Sequence, residues 1–130
     1  MEILPPQKIK VADIPIKGRG IITTQDIAKD EIIEICPIIF ISQKEGDFFE
    51  KNKTTLNYYW LLQPETNKSC IMLGYGSLYN HSNNPNVEID YETKESQNYL
   101  FFRALKNIET GEEIVFDYQS DSGEEFLKNS

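Results

Sequence analysis

The sequence predicts a mainly β domain of short strands with one modest helix. Three observations predict it. Short isoleucine-rich runs recur between Gly, Pro and Asp through the first third of the chain. Val87, Ile89 and Tyr91 alternate with Glu88 and Asp90, the period of a half-exposed strand. One stretch alone, residues 46–62, has the length and apolar spacing of a helix.

In chain order, residues 8–11 are a candidate strand, 17–20 (KGRG) a tight bend, 21–24 a second strand and 28–30 a turn. Residues 32–35 and 38–42 are both strand-like. Pro37 lies between them, which predicts a bend rather than one continuous strand. Residues 46–62 are expected to be helical, with Phe48, Phe49, Leu56, Tyr59 and Trp60 on one face, although Thr54 and Thr55 weaken the helix. Residues 63–69 form a polar turn, 69–73 a buried strand, and 74–86 (GYGSLYNHSNNPN) a loop. The strand that starts at Val87 leads to a hairpin turn over 93–98 and a return strand over 99–105. A turn around Gly111 precedes a last strand over 114–118. Residues 119–130 are a polar tail apart from Phe126 and Leu127. No internal repeat or low-complexity linker interrupts this order.

A chain of 130 residues is expected to be one domain, with its core over about 8–118. No apolar run reaches the length of a membrane span, and the start MEILPPQKIK lacks the pattern of a signal peptide, so an intracellular, cytoplasmic protein is expected. Cys36 and Cys70 then read as reduced, buried small hydrophobes, with a disulfide between them the open alternative. With two cysteines and one histidine, a structural zinc site is not expected. Net charge is −8, and from Glu109 onward seven acidic side chains face one lysine. Such a surface repels nucleic acid and suits a basic protein or peptide.

Three short motifs carry chemistry. In GRG at 18–20, two glycines allow a tight bend and close approach of a ligand to the main chain, but no Rossmann fingerprint follows. Around His81, Asn80 and the imidazole offer polar groups to a ligand, yet no serine–acid arrangement suggests a triad. Asn80–His81–Ser82 also matches a glycosylation sequon, which is discounted without a secretory signal. In GEEIVFDY at 111–118, Glu112 and Glu113 are adjacent acids on a turn, expected to point apart into solvent rather than act as a glycosidase pair. Tyr118 ends an apolar strand.

Taken in order, G-R-G, N-H-S-x-x-P-N and G-E-E-I-V-F-D-Y resemble the SET domain family of protein lysine methyltransferases, over nearly the whole chain and closest to its small stand-alone microbial members. The resemblance implies a β-clip (SET) fold: several short curved sheets, one short helical insert, and a knot-like C-terminal crossing of the N-H-S segment with the F-D-Y strand. It implies S-adenosylmethionine as cofactor. It places Lys17, Gly18, Arg19, Gly20 and Ile21 against the methionine part, with Leu78, Asn80 and His81 lining the pocket and the His81 main chain toward the adenine. Tyr118 matches the tyrosine at the methyl-transfer centre, and Phe116 the position that influences how many methyls are added.

The residue types suit the chemistry. Methyl transfer is an in-line displacement in which alignment carries much of the rate. The attacking lysine must be neutral, and a narrow aromatic channel favours that form by desolvation. Tyr58, Tyr59, Tyr75, Tyr79 and Tyr99 are further candidates for the channel wall, and Tyr59, in the segment that precedes the central motif, is the favoured one. His81 is expected to position groups rather than to act as a base. The sequence has Ser77 where many members have arginine, and Asn83 where many have cysteine. Its tail lacks the cysteines that bind zinc in large members, which leaves Phe126–Leu127 as a lid, or a partner such as a second copy, to complete the channel. The implied substrate is a basic protein, histone-like, nucleoid or ribosomal, with no direct nucleic acid or membrane contact. The competing reading is a SET-like module that binds cofactor or peptide without turnover.

Overall fold

The computed structural model describes residues 2–63, 68–94 and 97–118. Nine strands, one α-helix and two 3-10 turns form two sheets among these residues. The first sheet joins β1 (Ile9–Ile14), β2 (Gly18–Thr23), β9 (Glu113–Phe116) and β6 (Asn80–His81) in the order β1-β2-β9-β6. The second joins β4 (Trp60–Gln63), β5 (Lys68–Met72), β3 (Ile32–Ile41), β8 (Gln97–Ala104) and β7 (Val87–Lys94) in the order β4-β5-β3-β8-β7. Ile21, Ile114, Phe102, Tyr79, Cys36 and Cys70 sit in one buried cluster fed by both sheets. The mainly β reading therefore holds.

β3 departs from the expected bend. It runs unbroken through Pro37, but changes partner there: residues up to Pro37 pair with β8, and Ile38 to Ile41 pair with β5. The Pro37 carbonyl still accepts from the Leu73 amide at 2.9 Å, and the one bond that proline cannot donate falls at the end of that ladder, where β5 stops at Met72. A β-bulge between Ile32 and Glu34 leaves Ile33 and Glu34 both buried.

The helix is also displaced from its expected span. α1 covers Gln43–Asn52, not 46–62. Ser42 caps it: its hydroxyl accepts from the Glu45 amide while the Glu45 carboxylate accepts from the Ser42 amide, a reciprocal pair of bonds that satisfies two otherwise orphaned donors. Lys53, with a φ of 52°, ends it in the left-handed region. A 3-10 turn at Thr55–Tyr58 follows, and residue 60 begins β4. The proposed apolar face does not exist, because Phe48 and Leu56 are exposed.

The 74–86 stretch holds more order than a loop. It contains a 3-10 turn at Gly76–Leu78 and the short strand β6, which runs parallel to β9. The two segments lying side by side form the C-terminal crossing that the motifs implied. The hairpin tip at 95–96, part of the 63–69 turn and the 119–130 tail lie outside the described residues.

Candidate active site

Three elements meet along β9. Asn80↔Val115 and His81↔Phe116 are register partners on one side, and Ile21↔Ile114 on the other. Asn86 pins the arrangement: its amide nitrogen bonds the Val115 carbonyl, its side chain donates to the Glu113 carbonyl at 2.8 Å, and it accepts from the Val115 amide at 2.9 Å. The motif asparagines thus act as surrogate strand partners.

Residues 17–20 and 80 gather around Glu113. The Glu113 carboxylate accepts from Lys17 Nζ at 2.8 Å and from Asn80 Nδ2 at 2.7 Å, and the same Asn80 group reaches the Arg19 carbonyl at 3.0 Å. Glu113 is therefore no solvated acid, in contrast to the expectation for the Glu112–Glu113 pair; Glu112 is the exposed one. Gly20 is required here. A Cβ on it would stand 2.6 Å from Ile14 Cγ1 and 2.7 Å from both Asn80 Nδ2 and Glu113 Oε2. Gly18 has a φ of 92° and open space where a Cβ would point, so its backbone is accessible to a ligand. Arg19 is exposed, Leu78 half-buried. Ile21 is wholly buried, so its side chain belongs to the core and can only act on a ligand through its neighbours.

His81 turns its ring inward. Nδ1 accepts from the Tyr118 amide at 3.0 Å, and Nε2 lies 3.0 Å from Asn83 Oδ1. This pattern selects the tautomer with its proton on Nε2. The ring meets Tyr118 edge-on, with centroids 5.0 Å apart. The Ser82 amide bonds the Phe116 carbonyl, so by strand alternation the His81 N–H and C=O face away from β9, toward the free edge of the sheet. A main-chain donor and acceptor side by side there, with the open backbone at Gly18, fit a flat heterocycle and an amino-acid moiety.

The second part of the site is a narrow cleft lined by Tyr58, Tyr59, Met72, Tyr79, Phe116 and Tyr118, among others. Sequence reasoning named Tyr59, Phe116 and Tyr118, and the fold brings all three together. Tyr58 and Tyr79, also among the tyrosine candidates, line it too, whereas Tyr75 and Tyr99 do not; the Tyr79 ring stacks on Phe102 with centroids 3.9 Å apart. The Tyr118 hydroxyl donates to the Tyr79 carbonyl at 2.8 Å. Burial, reinforced by Tyr59 and Glu113, pushes the Tyr118 phenol up to about 12. Ser77 also lines the pocket and donates to the Met72 carbonyl at 2.7 Å. No group of three or more His, Cys, Asp or Glu suited to a metal ion occurs among the described residues.

This combination of two small sheets, a parallel β6–β9 crossing and a tyrosine-lined pocket at its end defines the SET domain class. The SET domain family model matches residues 18–119, and the chain belongs to that family. A Schizosaccharomyces pombe histone-lysine N-methyltransferase, H3 lysine-37 specific, is 34% identical over 85% of this chain and 72% of its own. A Candida albicans histone-lysine N-methyltransferase, H3 lysine-36 specific, is 30% identical over 88% of this chain but only 14% of its own length. The crystal structure of a Plasmodium falciparum protein described as a candidate histone methyltransferase superposes with a TM-score of 0.70, at 32% identity over 86% of this chain and 93% of that one. The chain is thus a lysine methyltransferase of the SET family, a family whose members generally use S-adenosylmethionine.

Proposed function

We propose that this chain transfers methyl groups from S-adenosylmethionine to lysine side chains of a basic, histone-like protein. The observation that carries the reading is the Tyr118 hydroxyl, held by the Tyr79 carbonyl at the wall of a narrow aromatic pocket.

When bound, S-adenosylmethionine supplies an activated methyl on a positively charged sulfur. The residues that would hold it are Gly18, Asn80 and the His81 main chain, with Glu113 fixing Asn80 and Lys17. The pocket does the rest. Tyr59, Phe116 and Tyr118 enclose the aliphatic stem of a lysine and strip water from its amine, which lowers its pKa from about 10.4. The Tyr118 proton is committed to the Tyr79 carbonyl, so the pocket sees oxygen lone pairs that orient the amine or accept weak C–H···O contacts. With its phenol at about 12, Tyr118 stays protonated near neutrality and is not the base. The amine loses its proton to water at the pocket mouth.

The substrate class is supported by the net charge of −8 and by the histone substrates in the relatives' names. The test is labelled S-adenosylmethionine with a mixture of core histones and other basic proteins, read by mass spectrometry of modified lysines. Label on lysines is expected, and Tyr118→Phe should lower kcat by about 100-fold with cofactor affinity retained. Binding of S-adenosylhomocysteine without label on any lysine would instead establish a non-catalytic module, the reading that Ser77 motivates.

A further inference from the structure

Glu34 is a carboxylate in the core, 4% exposed, and the mechanism above does not use it. The β3 bulge brings its side chain under the turn that precedes β6. Oε2 accepts from the Tyr75 amide at 2.9 Å, and Oε1 accepts from the Tyr79 hydroxyl at 2.7 Å. Tyr75 and Tyr79 bracket the 3-10 turn at Gly76–Leu78, so one carboxylate clips both ends of that turn. Gly74 makes room for it: a Cβ there would stand 2.7 Å from Oε2.

The clipped turn ends in the carbonyl that receives the Tyr118 hydroxyl. The Tyr79 ring cannot swing away, because it lies on Phe102 and meets the edge of Phe116, 6.4 Å between centroids. A carboxylate is the side chain that offers two acceptor oxygens and no donor, which the converging N–H and O–H demand. Burial pushes its pKa upward, a cost that the donors offset in part. A merely apolar brace would avoid that cost, so the carboxylate calls for a geometric task.

Resting on the methyltransferase reading, we propose that Glu34 is a positioning residue for methyl transfer: by clipping Tyr75 and Tyr79 it fixes the Tyr79 carbonyl, and through it the Tyr118 hydroxyl.

The test is a double-mutant cycle in single-turnover methyl transfer, using a histone or lysine-rich peptide that the wild type labels. Glu34→Gln should slow transfer by about 10- to 100-fold, with substrate KM and S-adenosylhomocysteine affinity within about threefold of wild type. In a Tyr118→Phe background the same change should cost less than about threefold, because the hydroxyl it positions is gone. In cofactor-free protein, the Tyr118 ring-carbon NMR signal, assigned by its loss in Tyr118→Phe, should move or broaden in Glu34→Gln. Equal losses in both backgrounds, or an unchanged Tyr118 signal, overturn the role. If Glu34→Gln does not fold, Tyr79→Phe, which removes one donor and keeps the ring, must show the same non-additivity; additive losses there overturn it too. A wild type that labels nothing overturns the methyltransferase reading itself, and is recognised before any variant is compared.

Discussion

At Gly20 the site leaves no room for a single methyl group. A Cβ would press on Ile14, Asn80 and Glu113 at once, two of which make up the polar cluster beside the bend. Gly20→Ala should therefore lower stability by about 1–3 kcal/mol. It should also weaken S-adenosylhomocysteine binding at least about tenfold, one step of about 1.4 kcal/mol. Urea unfolding and titration calorimetry measure the two effects separately; unchanged binding would remove this cluster from the cofactor site. The glycine was legible in the sequence because G-R-G is a recurrent motif. Glu113 was not, since adjacent acids on a turn are usually solvated. What recruits it is Asn80, thirty-three positions away, and Lys17, ninety-six away. Asn86 and Glu34 escaped for the same reason, and Tyr79, although a channel candidate, gave no sign of its bond to Glu34. Their partners lie on other strands, and nothing in local periodicity announces a buried acceptor.

Elements were legible where their signals were local. Alternation marked β7, and the turn around Gly111 marked the approach to β9. The helix was misplaced because the Ser42–Glu45 capping box outweighed apolar spacing that continued past its true end. Removing that signal is a direct test. Ser42→Ala should destabilise the protein by about 1 kcal/mol, seen as a lower urea midpoint at constant m. A null effect would mean that packing against the 3-10 turn and β5, rather than the cap, sets where α1 begins. Pro37 misled in the opposite direction. Proline forbids a ladder bond on one side only, and β3 places that side where it exchanges one neighbour for another. Strand pairing is a tertiary fact, so a rule about single strands could not anticipate it.

For the molecule as a whole, the excess of eight negative charges bears on how a substrate arrives. Charge attraction of a lysine-rich peptide weakens as the Debye length contracts from about 10 Å at 0.1 M salt to about 3 Å at 1 M. Raising salt across that range should raise the substrate KM several-fold and leave kcat nearly constant, because the aromatic pocket works through contact rather than long-range field. A KM indifferent to salt would show that the acidic surface serves solubility alone. Fold class could be read from three motifs in order, and the same motifs nominate Tyr118 as the tyrosine of the proposed transfer centre. The pocket that gives the tyrosine its environment could not, since its walls come from residues 58 to 118.

The placement of β9 between β2 and β6 has a consequence in time. Domains generally fold as the chain is synthesised, N-terminal parts first. The strands of the five-stranded sheet all precede β9 in the chain and can pair with one another without it. Yet the partner of Asn80, the acceptor of Lys17, and both Phe116 and Tyr118 arrive only with the last strand. A nascent chain therefore lacks groups from both halves of its site until that strand is home, and gains them together. The proposed methyl transfer is accordingly expected only of chains in which β9 has docked.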